Sequence, residues 1–306
     1  MSARILDGAT IAREIRAEVA REVAELKARG VQPGLAVVIV GDNPASQVYV
    51  KSKGQACLEA GMHSETVRLP AETAEAELLA VVDRLNADAA IHGFLVQLPL
   101  PRHINSDRVL LRISPAKDVD GFHPMNVGKL AVGDATAFRP ATPFGVQQML
   151  VRSGIEPRGA HAVIVGRSNI VGRPMAALLL QDGPGGNATV TVCHSRSRDL
   201  AGVTRSGDIL IVAIGRPAFV TANMVRPGAI VVDVGINRVD DPVNPKGYRI
   251  VGDVDYGPVA EVASAITPVP GGVGQMTVAM LLVNTLQAAR AGGQADGQAV
   301  RRTGGR

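Results

Sequence analysis

Short β-branched runs alternate with amphipathic helical stretches along most of this chain, and this alternation limits the possible folds more than any other feature. The first clear run, residues 35–40, is bounded by Pro33-Gly34 and by a turn at residues 41–44. It follows residues 9–29, where apolar side chains recur at helical spacing up to a glycine stop. Strands joined by helices form βαβ units, so the pattern predicts an α/β fold with a mostly parallel sheet.

The alternation continues in two series, which predict two α/β lobes. The first series has predicted strands at 35–40, 66–69 and 91–98 and predicted helices at 9–29, 46–60 and 72–86. The second has predicted strands at 161–165, 189–193, 209–213 and 229–233 and predicted helices at 144–153, 173–181 and 278–289. Residues 115–145, rich in Gly, Pro, Asp and Asn, predict a loop and a crossing between the lobes.

Composition places the chain among globular proteins and excludes several partners. Apolar residues make up 46% and charged residues 20% of 306, while the formal net charge is only +4. Half of that excess lies in residues 291–306, a stretch without an apolar face that predicts a disordered tail. The remaining charge is too small to favour nucleic acid, and no apolar run is long enough for a membrane span. Two cysteines without disulfide or metal spacing, and no signal-peptide core, favour a cytoplasmic protein.

Tyr49 and Lys53 are four residues apart in a predicted helix and therefore share one face of it. Tyrosine is scarce in this chain, with 3 among 306 residues, so ordinary core packing explains the placement poorly. A flat ring can stack on a planar ligand, and a titratable amine beside it can reach the ligand's reactive atom. The alternative is a surface helix that carries a half-exposed Tyr and two solvated lysines.

Two further polar features in the first lobe could join this pair. Gln97 lies near the end of a predicted buried strand, where an amide needs partners, and it could hydrogen-bond Lys53 and tune the pKa of that amine. Asp118 and Asp120 alternate in a loop, so their carboxylates are expected to point the same way and could bind the N–H groups of a heterocycle. An Asx-turn is the alternative for these two aspartates.

The second lobe opens with a strand, a glycine turn and a helix, in the order typical of a dinucleotide site. The segment Gly166-Arg-Ser168-Asn-Ile-Val-Gly172-Arg173-Pro174 follows the strand at residues 161–165. A helix N-terminus presents free N–H groups and a positive dipole to phosphate. The spacing G-x-S-x-x-x-G differs from G-x-G-x-x-G, so a plain strand–turn–helix stays open. The parallel series that follows favours a Rossmann-like, doubly wound lobe.

The residues after the next strand favour NADP over NAD. An NAD site would have Asp or Glu there to hold the ribose hydroxyls. Here the strand at residues 189–193 is followed by His194-Ser195-Arg196-Ser-Arg198, and the first carboxylate is Asp199. Hydroxyl and guanidinium groups suit a 2′-phosphate, and Arg167 adds positive charge. A solvated basic turn is the alternative. The later glycine turns at residues 215 and 235 would let the backbone approach the nicotinamide half.

Five ordered motifs together give a specific resemblance. The chain resembles the bifunctional methylenetetrahydrofolate dehydrogenase/methenyltetrahydrofolate cyclohydrolase family over about residues 1–290. The motifs are Tyr49…Lys53, Gly93–Pro99, Lys117–Gly121, Gly166–Pro174 and Pro268–Thr277. The resemblance implies a folate domain (residues 1–140 and 276–290), an NADP-binding domain (141–275), a cleft between them and a homodimer. It also implies a multifunctional oxidoreductase and hydrolase of one-carbon metabolism, with tetrahydrofolate interconversion supporting purine biosynthesis.

The resemblance also implies roles for particular residues. Lys53 would be the catalytic amine, Tyr49 the stacking ring, Gln97 the partner of Lys53, and Asp120 the group that holds the pterin. The other folate-binding residues would be Val96, Leu98, Pro270, Gly271, Gly272, Val273 and Gly274. The NADP-binding residues would be Gly166, Arg167, Ser168, Gly172, Arg173, Ser195, Arg196 and Ile236. No metal ligand set is expected.

Two positions depart from the family pattern, and two other functions stay open. Gln275 stands where proline is common and could change the stiffness of the loop and so the folate affinity, and Ala141 stands where cysteine is common. The first alternative is another two-domain NADP-dependent oxidoreductase, acting on a small hydroxy or amino acid. The second is a non-catalytic NADP sensor or scaffold. The first would want an Arg or Lys for the substrate carboxylate, not a Tyr platform, and the second gives no reason for Lys53, Gln97 and Asp120 together.

Overall fold

The structure, a computed structural model, describes residues 2–303, apart from the side chains of residue 45 and of residues 293–303. In chain order the α-helices are α1 (Gly8–Ala28), α2 (Pro44–Glu59), α3 (Glu75–Ala87), α4 (Ser106–Arg112), α5 (Pro124–Ala131), α6 (Ala141–Arg152), α7 (Gly172–Leu180), α8 (Leu200–Arg205), α9 (Tyr256–Val262) and α10 (Val273–Thr303). The strands are β1 (Arg4–Ile5), β2 (Gly34–Val40), β3 (His63–Leu69), β4 (Gly93–Val96), β5 (His161–Val165), β6 (Thr189–Cys193), β7 (Ile209–Val212), β8 (Ile230–Asp233), β9 (Asn237–Asp240), β10 (Tyr248–Val251) and β11 (Ala265–Ile266).

The chain divides into two compact units, each with its own parallel sheet. The three-stranded unit comprises Glu14–Lys129, Thr136–Ala141 and Val278–Arg306, and its sheet has the order β3-β2-β4. The six-stranded unit comprises Met1–Arg13, Leu130–Ala135 and Thr142–Thr277, and its sheet has the order β1-β11-β8-β7-β5-β6. Every strand pair in these two sheets is parallel, which confirms the predicted α/β class.

The three-stranded unit is held together by a buried central strand. All seven residues of β2 are buried, as expected for a central parallel strand covered on both faces, and this explains its uninterrupted apolar sequence. Val38 pairs with Val67 and Val96 in register. The core cluster includes α3 side chains such as Leu78 and Leu85. Each fully buried aliphatic side chain contributes about 1.5–3 kcal/mol.

The six-stranded sheet reverses its winding at β5. The chain passes from β5 to its neighbour β6 and then returns to β7 on the opposite side of β5, so that Val165 pairs with both Cys193 and Val212. In open α/β sheets ligands bind outside the carboxyl ends of the strands at such a switch point. This fold therefore directs a ligand to the turns that follow β5 and β7.

Most predicted elements are confirmed, and one segment was predicted wrongly. Residues 115–145 are not one loop, because α5 occupies Pro124–Ala131 and α6 begins at Ala141. The carboxylate of Asp118 accepts hydrogen bonds from the N–H groups of Phe122 (3.3 Å) and His123 (2.8 Å), just before α5. These bonds start a short helix in a segment rich in Gly and Pro.

Two small features have no sequence periodicity and were not anticipated. Strand β1, only two residues long, pairs with β11 and brings the first residues of the chain into the six-stranded unit. Strands β9 and β10 form an antiparallel hairpin in the same unit. The predicted disordered tail, residues 291–306, falls almost entirely outside the residues whose side chains are described and stays a prediction. Among the described helices, none combines the length and the apolar character that crossing a bilayer requires.

Candidate functional site

Lys53 is a buried amine held by an amide from a neighbouring strand end. Its side chain is 8% exposed, and Nζ donates a hydrogen bond to Oε1 of Gln97 at 3.1 Å. Gln97 is fixed in turn, because its backbone N–H donates to Val38 O and its Nε2 donates to Leu98 O at 2.7 Å. The predicted Lys53–Gln97 contact is confirmed. The alternative with two solvated lysines is wrong, since Lys51 is exposed but Lys53 is not.

The electrostatics of this amine are set by burial and by one carboxylate. Burial lowers the pKa of Lys53 below its ordinary value, and the negative charge of Asp120 opposes that shift. Burial likewise raises the pKa of Asp120, opposed by the charge of Lys53. Tyr49, half-buried one turn before Lys53 on α2, has its pKa raised by burial and is a neutral ring at physiological pH. The three groups thus combine a flat neutral ring, a buried amine with a lowered pKa and a carboxylate.

The two aspartates of the Lys117–Gly121 segment have different surroundings. Asp118 is buried and accepts from two backbone N–H groups before α5 and from Nδ2 of Asn126 at 2.8 Å. Burial raises the pKa of Asp118 to about 6. Asp118 therefore has a structural role, and only Asp120 interacts electrostatically with Lys53. The expectation that both carboxylates face one ligand is wrong for Asp118, because its oxygens are occupied at the start of α5.

Asn284 supports the Asp120 loop and was missed in the sequence. Its fully buried Nδ2 donates to the carbonyl of Val119 at 2.7 Å and to that of Arg139 at 2.8 Å. Val119 immediately precedes Asp120, so this amide fixes the backbone on which that carboxylate stands. A single Asn within the apolar run of residues 278–289 was the available signal, because a buried amide must find partners.

The glycine turn after β5 is shaped for close backbone approach. Gly166 has φ +134°, and a Cβ added there would lie 2.2 Å from the carbonyl oxygen of Ala213. A Cβ on Gly172 would lie 2.2 Å from Gly166 O. The hydroxyl of Ser168 accepts from the N–H groups of Val171 (3.1 Å) and Gly172 (3.4 Å), which closes the turn onto α7. Glycine is therefore sterically required at both positions, because the backbone packs closely against itself in this turn.

The basic residues predicted to bind the cofactor are exposed at the turns that follow β5 and β6. Arg167 and Arg173 are exposed around this turn, and Ser195 and Arg196 are exposed just after β6. The first carboxylate after β6, Asp199, accepts the N–H of Gly202 at 3.0 Å and caps α8. That carboxylate is already engaged as a cap, and the neighbouring side chains are a hydroxyl and a guanidinium.

The Pro270–Gly274 segment belongs to the six-stranded unit, with the predicted cofactor residues. Gly271, at φ +109°, accepts the N–H of Ala9 through its carbonyl at 3.2 Å. A Cβ added to Gly274 would lie 3.5 Å from Cδ1 of Ile236, a residue that is 49% exposed. Val273 is buried, and Gln275 is exposed in the first turn of α10. The folate-binding role of this segment stays a prediction.

The site has no metal centre among the residues that the structure describes. No group of three or more His, Cys, Asp or Glu side chains in that part of the chain could hold a metal ion. The three-stranded unit contains an amine, an amide and a carboxylate near an aromatic ring. The six-stranded unit contains a glycine turn at the switch point of its sheet, with basic residues around it.

Comparison with known proteins decides the family. Residues 6–120 match the model of the tetrahydrofolate dehydrogenase/cyclohydrolase catalytic domain, and residues 140–292 match the NAD(P)-binding domain of the same family. The chain belongs to the tetrahydrofolate dehydrogenase/cyclohydrolase family. The resemblance inferred from the five motifs is thus confirmed, as is a nicotinamide cofactor domain in the second half of the chain.

Close relatives cover nearly the whole length of this family member. The chain is 58% identical to bifunctional protein FolD 1 of Myxococcus xanthus, over 94% of this chain and 98% of the relative. A bifunctional FolD structure from Campylobacter jejuni matches with a TM-score of 0.89 and 49% identity, over 95% and 99% of the two chains. A Trypanosoma brucei FolD structure, complexed with NADP cofactor and an inhibitor, matches with a TM-score of 0.90 and 41% identity, over 95% and 98%. These matches confirm the two-domain α/β fold predicted from the sequence.

Proposed function

We propose that this chain oxidises 5,10-methylenetetrahydrofolate with NADP and hydrolyses the resulting methenyl cation to 10-formyltetrahydrofolate. The observation that carries the proposal is the buried Lys53 amine, 3.1 Å from Gln97 Oε1 and electrostatically coupled to Asp120. The Campylobacter jejuni relative supports it, because that protein is a bifunctional methylenetetrahydrofolate dehydrogenase/cyclohydrolase.

The three-stranded unit supplies the folate chemistry in this proposal. Tyr49 stacks on the planar folate, with Val96 and Leu98 as further contacts from the same unit. Asp120 accepts hydrogen bonds from pterin N–H groups. In the hydrolytic step a water molecule adds to the methenyl carbon, a C–N bond opens, and one proton is released. Lys53, as a neutral amine, takes a proton from that water and returns it to the departing nitrogen, while Gln97 fixes its direction.

The six-stranded unit binds the cofactor in this proposal. The turn at Gly166, Arg167, Ser168 and Gly172 leads into the N-terminus of α7, where free backbone N–H groups suit a pyrophosphate, and its glycines allow the tight backbone packing that forms the turn. Ser195, Arg196 and Arg173 bind the 2′-phosphate, and Ile236 contacts the nicotinamide half. Bound NADP supplies the hydride acceptor. The contribution of the protein to hydride transfer is to orient the one-carbon bridge toward that acceptor.

We also propose a cytoplasmic homodimer that takes tetrahydrofolate substrates and supports purine biosynthesis through one-carbon transfer. The two buried free cysteines, Cys57 and Cys193, are compatible with a reducing compartment. Sedimentation equilibrium of the full chain tests the dimer directly, because a monomer at micromolar concentration would contradict it.

Substrate comparison separates this function from the two alternatives. The purified full chain should form NADPH with 5,10-methylenetetrahydrofolate and not with a panel of small hydroxy and amino acids. Turnover of a hydroxy or amino acid instead would favour the other class of oxidoreductase. NADP binding without turnover of any substrate would favour a sensor.

The NADP preference should depend on Ser195 and Arg196. Replacing Ser195 by Asp and Arg196 by Gln removes two donors and adds a repelling carboxylate at the proposed 2′-phosphate site. Loss of charge-assisted hydrogen bonds, at about 1.5–3 kcal/mol each, should lower kcat/KM for NADP by at least about tenfold while the value for NAD holds or rises. Steady-state kinetics with both cofactors measure this. Arg158→Gln, an exposed arginine before β5, is the matched control. An unchanged NADP/NAD ratio in the double variant would contradict the assignment.

The cyclohydrolase step should show the lowered pKa of Lys53. Because the neutral amine is the active form, the rate should rise with pH through the pKa of Lys53, which burial holds below its ordinary value of 10.5. Hydrolysis of methenyltetrahydrofolate without NADP, corrected for the uncatalysed rate at each pH, gives the profile. A catalysed rate that falls as pH rises through this range would contradict the role of Lys53 as a base.

A further inference from the structure

A fully buried carboxylate, Asp253, joins two turns of the six-stranded unit. It accepts hydrogen bonds from the backbone N–H groups of Ile214 (2.7 Å), Gly215 (2.7 Å) and Arg216 (3.0 Å). It also accepts from Nδ2 of Asn237 at 2.8 Å. The first three donors form the turn after β7, and Asn237 follows the turn after β8. One side chain thus fixes two of the turns at the carboxyl ends of the sheet.

A second buried carboxylate, Asp233, holds Asp253 in place. Asp233 ends β8, and its side chain accepts from the backbone N–H groups of Gly235 (2.9 Å), Asp253 (2.9 Å) and Val254 (3.0 Å). Its own N–H donates to Thr267 Oγ1 at 2.7 Å. The two aspartates therefore form a chain that runs from the end of β8 to the segment 253–254 and on to the turn after β7.

Glycines next to both carboxylates allow this close approach. A Cβ added to Gly252 would lie 1.8 Å from Oδ2 of Asp233, and a Cβ added to Gly235 would lie 2.4 Å from Cγ of Asp253. A Cβ atom cannot lie this close to another heavy atom. Only glycine therefore fits at these two positions while the carboxylates keep their hydrogen bonds to the backbone. A buried carboxylate is stable only when its oxygens are well supplied with donors, and Asp253 has four.

The turns that these aspartates fix are those proposed to face the nicotinamide. Gly215, in the turn after β7, has φ +72°, and Ile236, 49% exposed, immediately precedes Asn237. The phosphate-binding turn at Gly166 accepts no hydrogen bond from either aspartate and gives them none. The side-chain hydrogen bonds of Asp253 therefore lie in the turns proposed to face the nicotinamide, not in the turn proposed to bind the pyrophosphate.

We propose that Asp253, held by Asp233, is the positioning residue for the nicotinamide half of the cofactor site. The inference rests on the proposed function and adds to it a group that touches neither folate nor cofactor. Asp253 acts through Gly215 and Asn237, which set the backbone around Ile236. Hydride transfer is sensitive to such placement, because a misplacement of about 1 Å costs about 100-fold in rate.

Asp253→Asn tests the proposal most directly. Asparagine has nearly the same shape as aspartate, but its NH₂ group replaces one carboxylate oxygen and so removes two hydrogen-bond acceptor sites. Oδ1 of Asp253 accepts from Arg216 and Asn237, and Oδ2 accepts from Ile214 and Gly215. Whichever way the amide is turned, its NH₂ faces two N–H donors. The turn must shift, and the dehydrogenase kcat should fall by at least about tenfold. Hydrolysis of methenyltetrahydrofolate, assayed without cofactor, should hold at the wild-type rate.

A binding measurement separates positioning from general damage. Calorimetry with NADPH and with 2′,5′-ADP, which lacks the nicotinamide half, should show NADPH binding weakened at least about threefold and 2′,5′-ADP binding unchanged. Asp241→Asn, in the turn of the β9–β10 hairpin, is the matched control and should keep both affinities and both activities. Equal weakening of both ligands, or an unchanged dehydrogenase kcat, would overturn the proposal.

A milder variant keeps the test decisive if Asp253→Asn does not fold. Asn237→Ala removes one donor from Asp253 and leaves the three backbone donors in place. It should give the same pattern at smaller amplitude, with kcat reduced about three- to tenfold and 2′,5′-ADP binding unchanged. Equal loss of both activities in soluble Asn237→Ala would overturn the proposal. If the wild-type protein forms no NADPH from methylenetetrahydrofolate, the proposed function itself fails, whatever the variants show.

Discussion

Lys53→Met should reduce cyclohydrolase turnover by at least about 100-fold, the usual contribution of a positioned proton-transfer group. Methionine keeps the unbranched apolar stem but cannot accept or donate the proton that water addition requires. It also removes the donor that Gln97 Oε1 accepts from at 3.1 Å. The measurement is hydrolysis of methenyltetrahydrofolate without NADP, followed as formation of 10-formyltetrahydrofolate above the uncatalysed rate.

Lys51→Met is the matched control for this change. Lys51 lies on the same helix, two residues away, but is exposed. A change at a solvated lysine normally alters stability by less than about 0.5 kcal/mol, so this variant should hydrolyse methenyltetrahydrofolate at the wild-type rate. Formyl product made by Lys53→Met at the rate of Lys51→Met would contradict the assignment of the catalytic amine.

Gly166→Ala should remove most of the NADP-dependent activity. The added Cβ would lie 2.2 Å from the carbonyl oxygen of Ala213, and φ +134° is a conformation that an L-residue adopts only under strain. The turn must move away from β7 or change its φ, at a cost on the order of 1–3 kcal/mol in the free energy of unfolding. The Kd for NADPH should rise by at least about tenfold, because the N–H groups aimed at the pyrophosphate move with the turn.

Gly257→Ala is the control for Gly166→Ala in the same unit, and it should retain both stability and NADPH affinity. Gly257 lies in α9, and a Cβ added there meets nothing within 4 Å. Alanine in a helix is favoured over glycine by about 0.5–1 kcal/mol, so this variant should be at least as stable as the wild type and bind NADPH equally. Thermal unfolding and NADPH titration of both variants make the comparison. Wild-type NADPH affinity in Gly166→Ala would show that the turn does not carry the phosphate.

The predictable part of the fold is the part with strong local patterns. Strand β2 and helix α1 follow directly from β-branched and amphipathic runs with glycine boundaries, and both were predicted within one residue. By contrast, β1 is two residues long and exists only because it pairs with β11, far along the chain. Helix α5 begins at a proline, with Asp118 binding the backbone just before it, in a segment whose composition is typical of loops.

The candidate site divides in the same way between local and long-range information. Tyr49 and Lys53 could be recognised from their spacing on one helix, and Gly166 from the strand–turn–helix order. The difference between Asp118 and Asp120 could not, because it depends on which carboxylate the N–H groups before α5 engage. Asn284 and Asp253 were missed for a related reason. Their hydrogen-bond partners are distant in sequence. A single polar residue in an apolar stretch does not indicate which distant residues it will bond to.

The most direct test of the central claim, that one chain performs both steps, is product-resolved turnover of 5,10-methylenetetrahydrofolate by the purified protein with NADP. NADPH, methenyltetrahydrofolate and 10-formyltetrahydrofolate are quantified separately over time. The account predicts that NADPH and the formyl product rise together, with the formyl product above its uncatalysed rate. Methenyltetrahydrofolate that accumulates in equal amount to NADPH, with formyl product only at the uncatalysed rate, would contradict it.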